Sequence, residues 1–330
     1  MLVQAKKVVA FGGGTGLSFL LEGLKAFYPM PIGSISAVVA VSDDGGSTGT
    51  LRKEFHIPAP GDIRRCIVAL SRRTDILKKL FEYRFNNTQS GLHNHAFGNL
   101  MLTALKDITG SFSRAVDEAC NLLDTVGRVL PLSEDKDVTL VAEFDNGEII
   151  RGEVSIYRYG KYKKGRIVKI WLEPKDIKAN PAVIEHVLSA DILIFGPGSL
   201  YTSVISSFLH PEVTKAIRQS KAKKVYVANL FADYGEAYNF SVSDHVLAIE
   251  QYLGGRVLDA VVVNTRELPK EIVKRYKELE GSVPARLDLD ILRKRGLKVI
   301  TGNLLHVDTK AQRLRHNGRE VVKAILENLG

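Results

Sequence analysis

The chain has 330 residues, 45% hydrophobic and 25% charged, which is enough apolar material for a large core and excludes disordered and fibrous classes. No apolar run approaches the ~18 residues of a membrane span, and the first ten residues lack a secretory signal core before a strand begins, so a cytoplasmic location is expected. A net charge of +9 and a pI near 9.3 fit an anionic ligand, nucleic acid or an acidic surface without choosing among them.

Residues 6–11 form a short β-branched apolar run that stops at Gly12, Gly13, Gly14, Thr15 and Gly16, after which Leu17, Leu20, Leu21 and Leu24 recur at helical spacing. A second strand is predicted over 35–41, so strand, helix and strand close in the length of a right-handed βαβ unit. Helical patterns dominate 61–123, carried by Ile63, Ile67 and Leu70, then Ile76, Leu77 and Leu80, then residues 99–106. Cys66 and Cys120 fall in these helices, at neither a zinc spacing nor a disulfide spacing, and read as packing residues.

The texture changes near Gly127. Residues 138–171 alternate apolar and polar, with Asp145-Asn146-Gly147 as a hairpin turn and Gly160 in a second turn. Residues 127–173 are therefore expected as a small antiparallel β insertion within a single domain spanning 1–330. Strands follow at 191–195, running into Gly196-Pro197-Gly198-Ser199, and at 224–228, running into Asn229. Others are predicted at 260–263, 297–300 and 304–307, with a closing helix over 319–329. The expected fold is α/β, doubly wound and Rossmann-like, with a mainly parallel sheet.

Three glycine- and hydroxyl-rich loops sit at strand ends. In a doubly wound sheet such loops share one rim, so they predict a ligand crevice. The first, Gly12 to Gly16, has Leu17 where the dinucleotide fingerprint would place its last glycine, yet glycines before a helix N-terminus still suit a phosphate. The second, Ser42-Asp43-Asp44-Gly45-Gly46-Ser47-Thr48-Gly49, offers two carboxylates. Ribose or ligand hydroxyls, a Mg²⁺ beside a diphosphate and a structural turn are all open to them. The third joins Gly196, Gly198 and Ser199 to Tyr201-Thr202-Ser203.

Other motifs are weaker. His93 and His95 form H-x-H without a third ligand at metal spacing, so Asn99 or a histidine donating a hydrogen bond is preferred to zinc. Arg64 and Arg65 suit either phosphate or a solvated helix face. Residues 157–166 interleave tyrosine with lysine and arginine, as nucleic-acid surfaces do, but a twisted hairpin with snorkelling lysines is the expectation. No G-x-S-x-G elbow, Walker lysine-serine pair or Ser-His-Asp set is present. Binding is thus more evident than catalysis.

In this order, the motifs from Val9 to Leu17 and Val38 to Gly49, Pro60-Gly61-Asp62-Ile63-Arg64, Phe97-Gly98-Asn99-Leu100, Gly196 to Ser203 and Ser243-Asp244-His245 resemble the gluconeogenesis factor family. This is the YvcK type within the CofD-like superfamily, which also holds 2-phospho-L-lactate transferase. The resemblance covers nearly the whole chain. It implies a cytoplasmic nucleotide-sugar-binding factor, of the UDP-N-acetylglucosamine or UDP-glucose kind, acting in cell shape and envelope synthesis during gluconeogenic growth. Catalysis is not what that branch is known for, whereas the transferase branch uses Mg²⁺ and presents its acidic pair to a deazaflavin substrate. The implied partners are a nucleotide-sugar or dinucleotide ligand and an envelope-synthesis or cell-shape protein; a homo-oligomer is also expected, and nucleic acid is not. The chain departs from relatives at 231–237, where only Gly235 and Glu236 match, and at Thr50, Arg65 and Asn94.

Overall fold

The computed structural model describes residues 5–86, 89–163, 165–308 and 311–329; Lys164 of the tyrosine–lysine stretch and the first four residues lie outside these. β1 (Lys6–Gly12), α1 (Gly14–Lys25) and β2 (Ile32–Val39) build the first βαβ unit, with Leu17, Leu20, Leu21 and Leu24 buried along one stripe of α1. Five helices follow: α2 (Gly46–Phe55), α3 (Pro60–Leu70), α4 (Ile76–Glu82), α5 (Phe97–Thr109) and α6 (Phe112–Leu122). Pro60 opens α3, where its missing N–H costs nothing. Ser111 caps α6 by accepting from the Arg114 N–H.

β3 (Arg128–Pro131) then pairs in parallel with β2. The antiparallel sheet consists of β4 (Thr139–Phe144), β5 (Ile149–Arg151) and β6 (Ile167–Glu173) in the order β5-β4-β6, with α7 (Glu153–Lys163) between β5 and β6. The chain continues through α8 (Pro181–Ser189), β7 (Ile192–Phe195), a π turn at Leu200–Val204, a 3₁₀ turn at Ile205–Phe208, α9 (Pro211–Gln219), β8 (Lys223–Val227) and β9 (Phe231–Ala232). It closes with α10 (Val242–Leu253), β10 (Ala260–Asn264), α11 (Lys270–Leu279), β11 (Val283–Pro284), α12 (Leu289–Lys294), β12 (Lys298–Gly302), the hairpin strands β13 (Leu305–Asp308) and β14 (Arg313–His316), and α13 (Gly318–Leu329).

The main sheet has seven strands in the order β12-β10-β8-β7-β1-β2-β3, every pair parallel. Helices cover both faces, as the near-continuous apolar strands require. Successive side chains of β1 alternate between two cores: Val8 and Ala10 pack toward α1, α3, α6 and α13, while Val9 and Phe11 pack toward α8, α9, α10 and the insertion. The expected doubly wound, mainly parallel α/β fold is present.

Residues 157–166 do not form the expected hairpin, and Gly160 is not in a turn: most of the stretch is α7. Ile156 and Gly160 are buried one helical turn apart, a period that the alternating Tyr-Arg-Tyr-Gly-Lys-Tyr pattern conceals. Gly160 is glycine because a Cβ there would lie 1.9 Å from the Gly235 carbonyl oxygen.

Candidate functional site

From β1 the chain steps outward to β2 and β3 on one side, while β7, β8, β10 and β12 extend on the other. The order therefore reverses between β1 and β7. Loops that leave neighbouring parallel strands at such a point diverge and leave a crevice at the strands' C-terminal ends. Phe11 stands opposite Phe195 in register, so both loops start at one level. They pack closely, since a Cβ on Gly16 would lie 2.3 Å from the Pro197 carbonyl oxygen.

Side chains from later strands fix the Gly196–Ser199 loop. The Asn229 amide grips Gly198 from both sides: its Nδ2 donates to the Gly198 oxygen at 2.7 Å, and its Oδ1 accepts the Gly198 N–H at 3.1 Å. Glu236 accepts the N–H groups of Tyr201 and Thr202 at 2.9 and 3.2 Å, and the Thr202 hydroxyl at 2.5 Å. It thereby satisfies donors that open the π turn. Burial first, then the Asp233 charge, push the Glu236 carboxyl up to about 7, against the donors from Thr202 and Tyr201.

A cleft of about 370 Å³ opens beside these loops. Thr15, Gly16, Gly198, Ser199 and Asn229 line one side, and Arg313, Arg315 and His316 of β14 line another. Arg315 lies over the Phe19 ring at 4.8 Å. Neither arginine forms an ion pair among the described residues. Phe231 and Tyr276, stacked with centroids 4.5 Å apart and planes 9° from parallel, supply a flat apolar wall. Asp233 and Glu280 add acid at the same cleft. His316 is buried, its Nε2 has no hydrogen-bond partner among the described residues, and burial drives its pKa down to about 4, so its imidazole is neutral.

The acidic loop does not line this cleft. Asp43 accepts the Gly45 N–H at 2.9 Å, and burial, reinforced by Asp62, raises its carboxyl above the usual range. Asp44 accepts the Val154 N–H at 3.0 Å and so meets the start of α7. Asp62 accepts the Gly14 N–H at 2.6 Å and pairs with Arg65 at 3.2 Å, which puts a carboxylate on the first glycine loop. Beside them, burial, then Asp43 and Asp62, hold the Glu153 carboxyl well above its ordinary value. Thr48 abuts Gly61 and hydrogen-bonds Asp43. Ser47 contacts the His95 Nδ1 at 3.1 Å and receives the Asn99 Nδ2 at 3.4 Å.

The residues singled out by sequence thus fall into separate groups. Thr15, Gly16, Gly198, Ser199 and Asn229 line the cleft, while Gly12, Gly13, Gly14, Gly196 and Tyr201 frame the loops behind it. Asp43, Ser47, Thr48 and Asn99 lie beyond Asp62, and Asp44 serves the insertion. Sequence reasoning did not pick out Arg313, Arg315, His316, Tyr276 or Glu153. The alternation in Arg313-Leu314-Arg315-His316 signals a strand but not a ligand wall.

The chain is similar to known proteins in both sequence and fold. A family model described as "2-phospho-L-lactate transferase CofD" matches residues 8–305. The gluconeogenesis factor of Bacillus subtilis (strain 168) is 40% identical over 326 residues, covering 99% of both chains. The gluconeogenesis factor of Halalkalibacterium halodurans is 41% identical over 325 residues, covering 98% of this chain and 97% of that one. A crystal structure of a Bacillus halodurans protein superposes with a TM-score of 0.91 at 40% identity, covering 98% of this chain and all of that one. The chain belongs to the CofD family, among its gluconeogenesis factors.

Proposed function

We propose that this chain binds a nucleotide-sugar of the UDP-N-acetylglucosamine or UDP-glucose kind in the cleft, and that it is a cytoplasmic regulatory factor for cell shape and envelope synthesis under gluconeogenic growth. The observation that carries the reading is the cleft at the β1/β7 switch point, where the first turn of α1, the clamped Gly198–Ser199 turn and two unpaired arginines face one another. Because Asp62 occupies the Gly14 N–H, the diphosphate goes to Thr15, Gly16 and the Gly198–Ser199 backbone, with Arg313 and Arg315 as counter-charges. The Phe231–Tyr276 wall suits a base or sugar face.

Titration calorimetry with UDP-N-acetylglucosamine, UDP-glucose, GDP and NAD tests this. A UDP-sugar is expected to bind, and Arg313→Ala to weaken it about tenfold, or ~1.4 kcal/mol. No binding by any of the four would sink the proposal.

A transferase acting on a nucleotide-diphosphate donor is the second reading, favoured by the printed description of the family and by Asp43 facing Asp62. Among the described residues no group of three or more His, Cys, Asp or Glu could hold a metal ion. A protein-only Mg²⁺ cage therefore does not fit here, and no step is drawn through the metal. Mg²⁺-dependent release of a nucleoside monophosphate, lost in Asp43→Asn, would establish this reading in place of the first.

A further inference from the structure

Most exposed apolar side chains are scattered over the molecule, but on α4 they line up. Ile76, Leu80 and Tyr83 are 77%, 40% and 51% exposed, and their spacing of four and three puts them on one ridge of α4 and its C-terminal cap. The inward stripe of the same helix is a different pair, Leu77 and Phe81, which packs into the core beneath α1 and α3. Ile108 of α5, the helix that packs on α4, is 80% exposed. Folding gains nothing from holding such groups in water, and an aligned apolar surface marks a contact with something outside the chain.

Cations border this ridge. Lys79 lies beside it on α4, Arg72 and Arg73 precede it, and Arg84 follows it. Lys78 stands on the flank toward α1, close enough to Lys25 that its charge, after burial, lowers the Lys25 pKa against the pull of Glu22. Lys25 donates to the Ser71 oxygen at 2.9 Å, and Arg72 lies 5.6 Å from the Tyr28 ring centroid. The loop after α1, with its exposed Met30, thereby joins the same basic rim. Arg72 and Arg73 are each offset by an aspartate, at 3.5 and 2.7 Å. Lys78, Lys79 and Arg84 form no ion pair among the described residues, and Glu82 is the only acid in α4. None of these residues lines the nucleotide-sugar cleft.

We propose that the α4 ridge and its basic rim dock this protein on the surface of an anionic lipid bilayer. Ile76 and Leu80 enter the boundary between headgroups and acyl chains, and Tyr83 takes the interfacial level that its polar tip prefers. The lysine stems lie along the apolar surface while their ammonium groups meet lipid phosphates. Two features select a bilayer over a second copy of the chain. The seven residues of α4 span only about 10 Å, whereas a stable protein interface covers roughly 800 Å² on each partner. Docking ridge to ridge about a two-fold axis would also bring two basic rims together.

Co-flotation of the full chain with vesicles tests this, using phosphatidylglycerol mixed with phosphatidylcholine in one set and phosphatidylcholine alone in the other. Binding is expected to the first set and not to the second, and to weaken as salt is raised, because screened charges attract less. Lys78→Glu combined with Lys79→Glu is expected to lower the partition coefficient at least ~10-fold. Ile76→Ser combined with Leu80→Ser is expected to lower it by a similar factor, and an unchanged urea midpoint shows that each variant is folded; if one does not fold, the other decides. Absence of flotation with the anionic vesicles, equal flotation with both sets, or binding that persists in the folded variants would overturn the proposal. Sedimentation that shows a dimer dissociated by the double serine variant would overturn it too, and would give the ridge to a second copy.

Discussion

Glu236 has three donors around its carboxylate and still holds a proton up to about pH 7, because burial and Asp233 outweigh them. Its ordinary value is 4.5, so between those limits the folded state binds the more protons. Stability from this group is fullest below the unfolded value and falls as pH rises through 7. A shift of this size is worth on the order of 3 kcal/mol. Urea unfolding from pH 5 to pH 8 is expected to show that loss, and Glu236→Gln to flatten it; an equally steep variant would contradict the assignment. His316 runs the other way: held neutral with a pKa of about 4 against an ordinary 6.5, it costs stability as pH falls from the higher value toward the lower. At this scale the glycines and Asn229 were legible, because strand-end loops announce themselves by composition. Arg313 and Arg315 were not, because a two-sided Arg-Leu-Arg pattern says only that Leu314 faces inward.

α7 shows how an element hides. Its tyrosines and cations alternate, but burial follows Ile156 and Gly160 at a spacing of four, and the Asp44 carboxylate meets the first turn through Val154. Tertiary packing against Gly235, invisible to local pattern, decides the helix. Gly160→Ala is expected to destabilise the fold by about 1–3 kcal/mol, since backbone rather than a flexible side chain stands in the way. A lowered urea midpoint would register it, and an unchanged midpoint would contradict the packing. β3 was masked differently: Arg128–Pro131 falls inside the residues expected as antiparallel, yet it forms the edge of the parallel sheet beside β2.

At the scale of the molecule, the opening βαβ length and the repeated strand-into-loop plan made the doubly wound sheet readable. The sheet order was not, because adjacency of β1 and β7 depends on connections of more than a hundred residues that pass through eight helices, one of them within the insertion. That adjacency creates the cleft, and the late hairpin β13–β14 closes it. Amide hydrogen exchange with and without UDP-N-acetylglucosamine is the most direct measure of the claim that these parts form one ligand site. Slowed exchange is expected together over 13–16, 198–202, 229–233 and 313–316, because a ligand that binds the folded state suppresses local opening where it bridges elements. Protection that avoids these four segments, or that appears on the insertion alone, would contradict it.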